Sequence, residues 1–480
     1  MIKTSLPADA VVRALAPLEE ALAELASRHP GAPSGRQPVH TFYGGAHLFR
    51  ADLAPKIGKA ALRAVEEHAA DPIRLAMILG LPGASTLTHP KSPLTAFTIG
   101  SDDALPLDRR LNHAAWLATT VHARVLEKLR HEPVEDLRID FEDGYGARPD
   151  AEEDWHAASA ARELAQGHAE RSLPPFIGLR IKPLDAQHQA RAVRTLDIFF
   201  TTLLGEGAAP LPPGFVITLP KITVPEQVTA LCDLLDAIEA RHALAKGALR
   251  VELMIETPEC FFGPRGELLL PRLVELCRGR GVAAHFGAYD FTAAFDITAA
   301  HQRLTHPACD FARHLMQAGL AQTGIRLADG ATNVLPIAPH KASADALTAQ
   351  QIADNREAVH RAWKLHYDHI QHALAQGFYQ GWDLHPAQLP IRYAATYAFF
   401  LENKEPAGER LRNFIEGAAQ ATRVGQVFDD AATGQGLLNF FLRAQSSGAL
   451  FEDEILAATT LTEAELRGRS FAKIVEARRG

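Results

Sequence analysis

The sequence predicts an α/β fold: a parallel (β/α)8 barrel with an N-terminal helical extension and a C-terminal all-helical domain. Three observations predict it. Short apolar runs with strand character are each followed by a longer helical stretch, the pattern of a parallel sheet. About eight such units occupy roughly 350 residues, which suits a closed barrel with insertions better than an open sheet. Past residue 390 the strand signal stops while helical periodicity continues. The expected units are residues 1–37 (extension), 38–395 (barrel) and 396–480 (helical plug or lid).

Residues 8–28 are rich in alanine and leucine at heptad-like spacing and predict a helix. Prolines and glycines make 29–38 a loop. Thr41 to Phe49 reads as the first strand and its turn, and 55–70 as a helix. The apolar run Ile73–Leu81 reads as a strand broken by Pro82-Gly83, 91–104 as a long loop, and 108–130 as a helix. Strand–helix pairs then follow: 137–143 with 151–170, 176–182 with 186–203, 215–221 with 225–243, 249–256 with 268–278, and 282–286 with 307–320. Leu335–Ala338 reads as a short strand before a helix at 348–376, and Gly381–His385 as the last strand. Residues 391–480 read as helices, with Glu405–Glu409 the most linker-like point.

With 480 residues, 47% hydrophobic and 22% charged, the chain has the composition of a soluble globular protein. Its net charge of -8 gives no electrostatic reason to expect nucleic acid or an anionic membrane. Cys232, Cys260, Cys277 and Cys309 form no C-x-x-C pair, which fits buried thiols in a reducing compartment. The first residues lack a signal-peptide core, no apolar run is long enough to span a bilayer, and Arg478-Arg479-Gly480 is not a peroxisomal address. The expectation is a cytoplasmic protein with small-molecule partners, and homo-oligomerisation is left open.

In Leu137-Arg-Ile-Asp-Phe-Glu-Asp-Gly-Tyr-Gly146, Leu137, Ile139 and Phe141 alternate with Arg138, Asp140 and Glu142, and Asp143 opens a glycine turn. Three carboxylates within four residues repel unless cations compensate them. A solvated edge strand is the plain alternative. In a barrel, chemistry sits at the C-terminal ends of the strands. There the chain places Asp140, Glu142 and Asp143, then Arg180 and Lys182, Lys221, Glu256, Asp290 and His385. Glu252, Met254 and Glu256 share one strand face. Carboxylates with no cysteine and little histidine favour Mg2+ or Mn2+ over zinc. An α-keto acid chelating such an ion beside Arg180 makes a site for chemistry through an enolate.

Asp140-Phe-Glu-Asp143, Leu179-Arg-Ile181, Leu219-Pro-Lys221, Met254-Ile-Glu-Thr-Pro258, Gly287-Ala-Tyr-Asp290 and Leu384-His-Pro-Ala-Gln388 stand in one order. In that order they resemble the superfamily of HpcH/HpaI aldolases, citrate lyase β-subunits and malate synthases. The resemblance covers roughly residues 135–390 and implies a metal-bearing TIM barrel. It implies Glu256 and Asp290 as Mg2+ ligands and Arg180 as the group facing the substrate carbonyl and nascent enolate. Asp140, Glu142 and Asp143 then surround the metal's waters. Val427-Phe-Asp-Asp-Ala-Ala-Thr433 resembles the Met-Glu-Asp-Ala-Ala-Thr stretch of malate synthases. In that family the aspartate lies on a helical plug over the barrel mouth and takes a methyl proton from acetyl-CoA; the matching residue is Asp430. Two departures stand beside this. Gly-Ala-Tyr-Asp-Phe replaces Gly-Arg-Trp-Asp-Tyr, and Phe42–Phe49 looks more like the aldolases.

The expected activity is therefore Mg2+-dependent condensation of acetyl-CoA with glyoxylate. The alternative is a lyase cleaving a 3-hydroxyacyl-CoA or a 4-hydroxy-2-keto acid; a non-catalytic barrel is a third reading. Lys182 and Lys221 are candidates for holding carboxylate or phosphate, with a surface or supporting role as the alternative. His385 either touches the thioester side or sets a turn. His40, His47 and His340 carry no assigned role.

Overall fold

A computed structural model describes residues 5–31, 35–87, 112–205, 210–341, 346–420 and 431–479. Eight parallel strands are ordered β7-β6-β5-β4-β3-β2-β1-β8: β1 (His40–Gly45), β2 (Asp136–Asp140), β3 (Phe176–Arg180), β4 (Val216–Leu219), β5 (Arg250–Ile255), β6 (Gly281–Phe286), β7 (Arg326–Ala328) and β8 (Gly381–Asp383). The seam between β7 and β8 is closed by an Ala331–Trp382 bridge and the Asp329 N–H donating to Gln380 O at 2.8 Å. The fold is a (β/α)8 barrel with helical additions at both ends.

The helices are α1 (Ala8–Arg28), α2 (Leu53–Ala69), α3 (Pro72–Leu79), α4 (His113–His131), α5 (Asp150–Glu170), α6 (Gln189–Leu204), α7 (Glu226–Arg241) and α8 (Leu270–Leu276). They continue with α9 (Ala288–Ala294), α10 (Pro307–Leu320), α11 (Ala349–Ala375), α12 (Leu389–Gln420), α13 (Ala431–Ser446), α14 (Glu452–Thr459), α15 (Glu463–Gly468) and α16 (Phe471–Arg479). Outward residues such as Ile139, Leu179 and Ile217 are fully buried beneath this ring.

Three expectations are corrected. Ile73–Leu81 is helical rather than extended, because Asp71 caps the Ile73 N–H at 3.1 Å, Pro72 opens the first turn and Gly80 closes it at φ +68°. The seventh strand is Arg326–Ala328, not Leu335–Ala338; a three-residue strand carries little periodicity to read. The boundary at 395/396 and the linker-like 405–409 both lie inside α12. Gly408 is there because a Cβ would meet the Ala458 carbonyl oxygen at 2.6 Å, so its glycine marks a close helix contact instead of a linker. Within the region expected as a plug, the end of α13 is held beside the strand starts. Ser446, at the end of α13, accepts the Gln37 N–H at 3.2 Å, and Arg443 bonds Gln37 Oε1 and covers the Tyr379 ring. Gln37 and Tyr379 precede β1 and β8, so the end of α13 packs at the N-terminal face.

The barrel interior is polar. Arg138, almost fully buried, bonds Asp136 and reaches Glu252 at 2.6 Å; Thr218 donates to Glu252 at 2.7 Å, and His285 lies 2.9 Å from it. Burial by itself would raise Glu252, but Arg138 and His285 hold it well below the usual carboxylate range. Removing Arg138 leaves the buried Asp136 and Glu252 without their shared arginine. Arg138→Met should lose about 3–5 kcal/mol of stability, and Arg138→Met combined with Asp136→Leu and Glu252→Met should recover most of it, both read by urea denaturation.

Candidate active site

The mouth is built from the ends of β2 to β6. Asp140 and Arg180 are paired in register on β2 and β3. Arg180 Nε and Nη2 donate to the two Asp140 oxygens at 2.7 and 2.6 Å, a bidentate fork. The same carboxylate accepts the Glu142 N–H at 2.9 Å and the Gly144 N–H at 2.8 Å. One aspartate thus holds the arginine and shapes the turn that presents Glu142 and Asp143. Arg180 Nη1 faces Glu142 at 3.1 Å and Asp143 at 3.8 Å. Its guanidinium lies 4.8 Å over the Tyr43 ring from β1.

Lys221, just past β4, joins this group to the next two strands. Its φ is +48°, a backbone state unusual for a residue with a side chain. Its N–H donates to Glu256 Oε1 at 2.7 Å, and its ammonium bonds Glu142 and lies 3.3 Å from Asp143 and 3.5 Å from Asp290. Asp290 is carried on the first turn of α9, a helix that the sequence reading passed over. Gly287 leaves room for Glu256: a Cβ there would meet Glu256 Oε2 at 2.4 Å.

The charges do not balance. With Asp140 matched by Arg180, Glu142, Asp143 and Asp290 share the Lys221 ammonium and the outer edge of Arg180, and Glu256 has the Lys221 main-chain N–H. Burial pushes the Glu256 carboxyl up to about 8, with Asp290 and Glu142 adding to the effect and Lys221 and Arg180 opposing it. Burial also raises Glu142, whereas Arg180 and Lys221 overcome burial at Asp143 and keep it low.

Expected site residues outside this group are tied elsewhere. Lys182 donates to Phe141 O at 2.8 Å and lies 3.4 Å from Glu153, bracing the loop after β2. His385 accepts the Ala387 N–H at 3.2 Å and caps the turn Pro386–Gln388. His40 is buried between the Glu135 N–H at 3.0 Å and Asp383 at 3.2 Å; His340 pairs with Asp354, and His47 packs edge-on to Tyr145. All four cysteines are buried and free. Asp430 lies outside the described residues. Tyr43 was not anticipated; an aromatic just before a Gly-Gly turn at a strand end was its only trace in the sequence.

A family model described as a domain of unknown function (DUF6986) matches residues 18–474. The chain belongs to this family. No curated protein matches this DUF6986 chain. Among solved structures, a citrate lyase from Burkholderia xenovorans LB400 is 20% identical, covering 71% of this chain and 92% of its own, with a TM-score of 0.50. A Haloferax volcanii malate synthase in a magnesium/glyoxylate complex is 16% identical over 80% of this chain and 94% of its own, TM-score 0.40. The citrate lyase beta subunit from M. tuberculosis, complexed with oxaloacetate and magnesium, is 16% identical over 57% and 92%, TM-score 0.34. At these identities the Burkholderia likeness bears on the barrel fold alone.

The mouth suits a hard divalent cation. Its donors are carboxylate oxygens, Gly287 keeps space beside Glu256 Oε2, and the negative excess is of the size such an ion neutralises. Among the described residues no three His, Cys, Asp or Glu side chains converge as a ready-made cage. An ion held by Glu256 and Asp290 would keep several waters. Because the folded metal-free protein retains a proton on Glu256 that the unfolded chain has released above its ordinary 4.5, stability falls as pH rises from there to about 8. Thermal unfolding in EDTA should show this decline, and Glu256→Gln should flatten it.

Proposed function

We propose that this protein is a divalent-metal-dependent carbon–carbon lyase acting on a hydroxy-oxo acid or a 3-hydroxyacyl-CoA through an enolate. The observation that carries this reading is the convergence of Glu256, Asp290, Glu142 and Asp143 around Lys221, next to a fixed arginine. Mg2+ on Glu256 and Asp290 would supply Lewis acidity toward a substrate carbonyl. Arg180 uses Nε and Nη2 on Asp140, and Nη1, 3.1 Å from Glu142, is the edge that would meet the developing enolate oxygen beside that carboxylate. Glu142, raised by burial, is placed to take the substrate hydroxyl proton. The carbon–carbon bond then breaks, its electron pair enters the enolate, and that carbon is protonated on release. Tyr43 supports the arginine from below.

A condensation of acetyl-CoA with glyoxylate is the second reading, favoured by Val427–Thr433 with Asp430 as base. It is placed second because the C-terminal end of α13 packs at the N-terminal face. Mg2+-dependent cleavage of malyl-CoA or of 4-hydroxy-2-oxo acids, followed by aldehyde and oxo-acid detection, tests the first reading. Glu256→Gln should lower cleavage at least about 100-fold, and Asp430→Asn should leave it intact. Thiol release from acetyl-CoA plus glyoxylate, abolished by Asp430→Asn, would instead establish condensation.

A further inference from the structure

Lys221 has two separate attachments to the site. The main-chain one is the N–H that the positive φ turns onto Glu256 Oε1. A non-glycine residue in this region is held there by its surroundings, and such strain collects at functional sites. The side-chain one is the ammonium, at the centre of Glu142, Asp143 and Asp290, which come from the β2 loop and α9. The first attachment does not depend on the second. Nζ sits on a flexible four-carbon stem whose side chain is 29% exposed, so it can swing outward while the backbone stays anchored.

We propose that Lys221 is the resident counter-cation of this centre: its ammonium competes with a divalent metal ion on Glu256 and Asp290, and gives up Asp290 when the metal binds. This rests on the metal-dependent reading above. A metal ion sits about 2.0–2.1 Å from its carboxylate oxygens, and Nζ already lies 3.5 Å from Asp290 Oδ1. Two cations sharing that carboxylate repel at such separations. Without the metal the ammonium limits the mutual repulsion of the acidic groups; with it, the ammonium is the displaceable charge. Lys221 is thus a positioning residue that sets the metal affinity of the site.

The test is Mg2+ titration by calorimetry on the full chain, with thermal unfolding in EDTA alongside. Lys221→Met should bind Mg2+ about tenfold more tightly than wild type, and Lys221→Gln should do the same. Lys221→Arg, which keeps the charge, should stay near wild type. In EDTA the two neutral variants should melt below wild type, and saturating Mg2+ should close the gap. Unchanged or weaker Mg2+ binding in both neutral variants, with wild type binding normally, would overturn the role of Lys221 and leave the metal reading standing. If wild type and every variant bind no Mg2+, the metal reading fails and this inference fails with it.

Discussion

The Asp140–Arg180 fork is the contact on which the rest of the mouth depends. It spans neighbouring strands in register, so barrel pairing sets its geometry. Asp140 also accepts two N–H groups from its own turn, which fixes Glu142 and Asp143 relative to Arg180. Lys221 then links that turn to Glu256 and Asp290. Four strand ends and one helix become a single electrostatic unit.

Two layers of the barrel show the same residue types put to opposite uses. Below, Arg138 is matched by Asp136 and Glu252, with Thr218 and His285 completing the hydrogen bonds. That layer is closed on itself by charge, both buried carboxylates facing Arg138. Above, carboxylates outnumber cations and Glu256 is driven toward its protonated form. A charge excess at the mouth, with Glu142 and Glu256 buried, is what a cation-dependent site requires, whereas a structural network would be balanced.

Much of this was legible in the sequence because the period-two alternation in Leu137–Glu142 and the charged residues at successive strand ends are local signals. The barrel follows from them, and so does the grouping of Arg180, Lys221, Glu256 and Asp290. What was not legible depends on contacts distant in sequence. Ile73–Leu81 is apolar enough for a strand, and only the Asp71-Pro72 start and Gly80 stop decide for helix. Pro406-Ala407-Gly408 has linker composition, yet its glycine admits the Ala458 carbonyl. Lys182 and His385 stand at strand ends by type, and their bonds to Phe141 O and the Ala387 N–H depend on the folded loops. Tyr43 carries no chemical motif, and its place under Arg180 depends on the strand pairing.

The central claim is that the charge excess at the strand ends is the coordination site of a divalent cation. The most direct measurement is anomalous diffraction from a crystal soaked in Mn2+, which replaces Mg2+ at oxygen sites. The account predicts one strong peak bonded to Glu256 and Asp290, with the Lys221 ammonium moved off Asp290. No peak at the mouth, or a peak bonded to neither carboxylate, would contradict it.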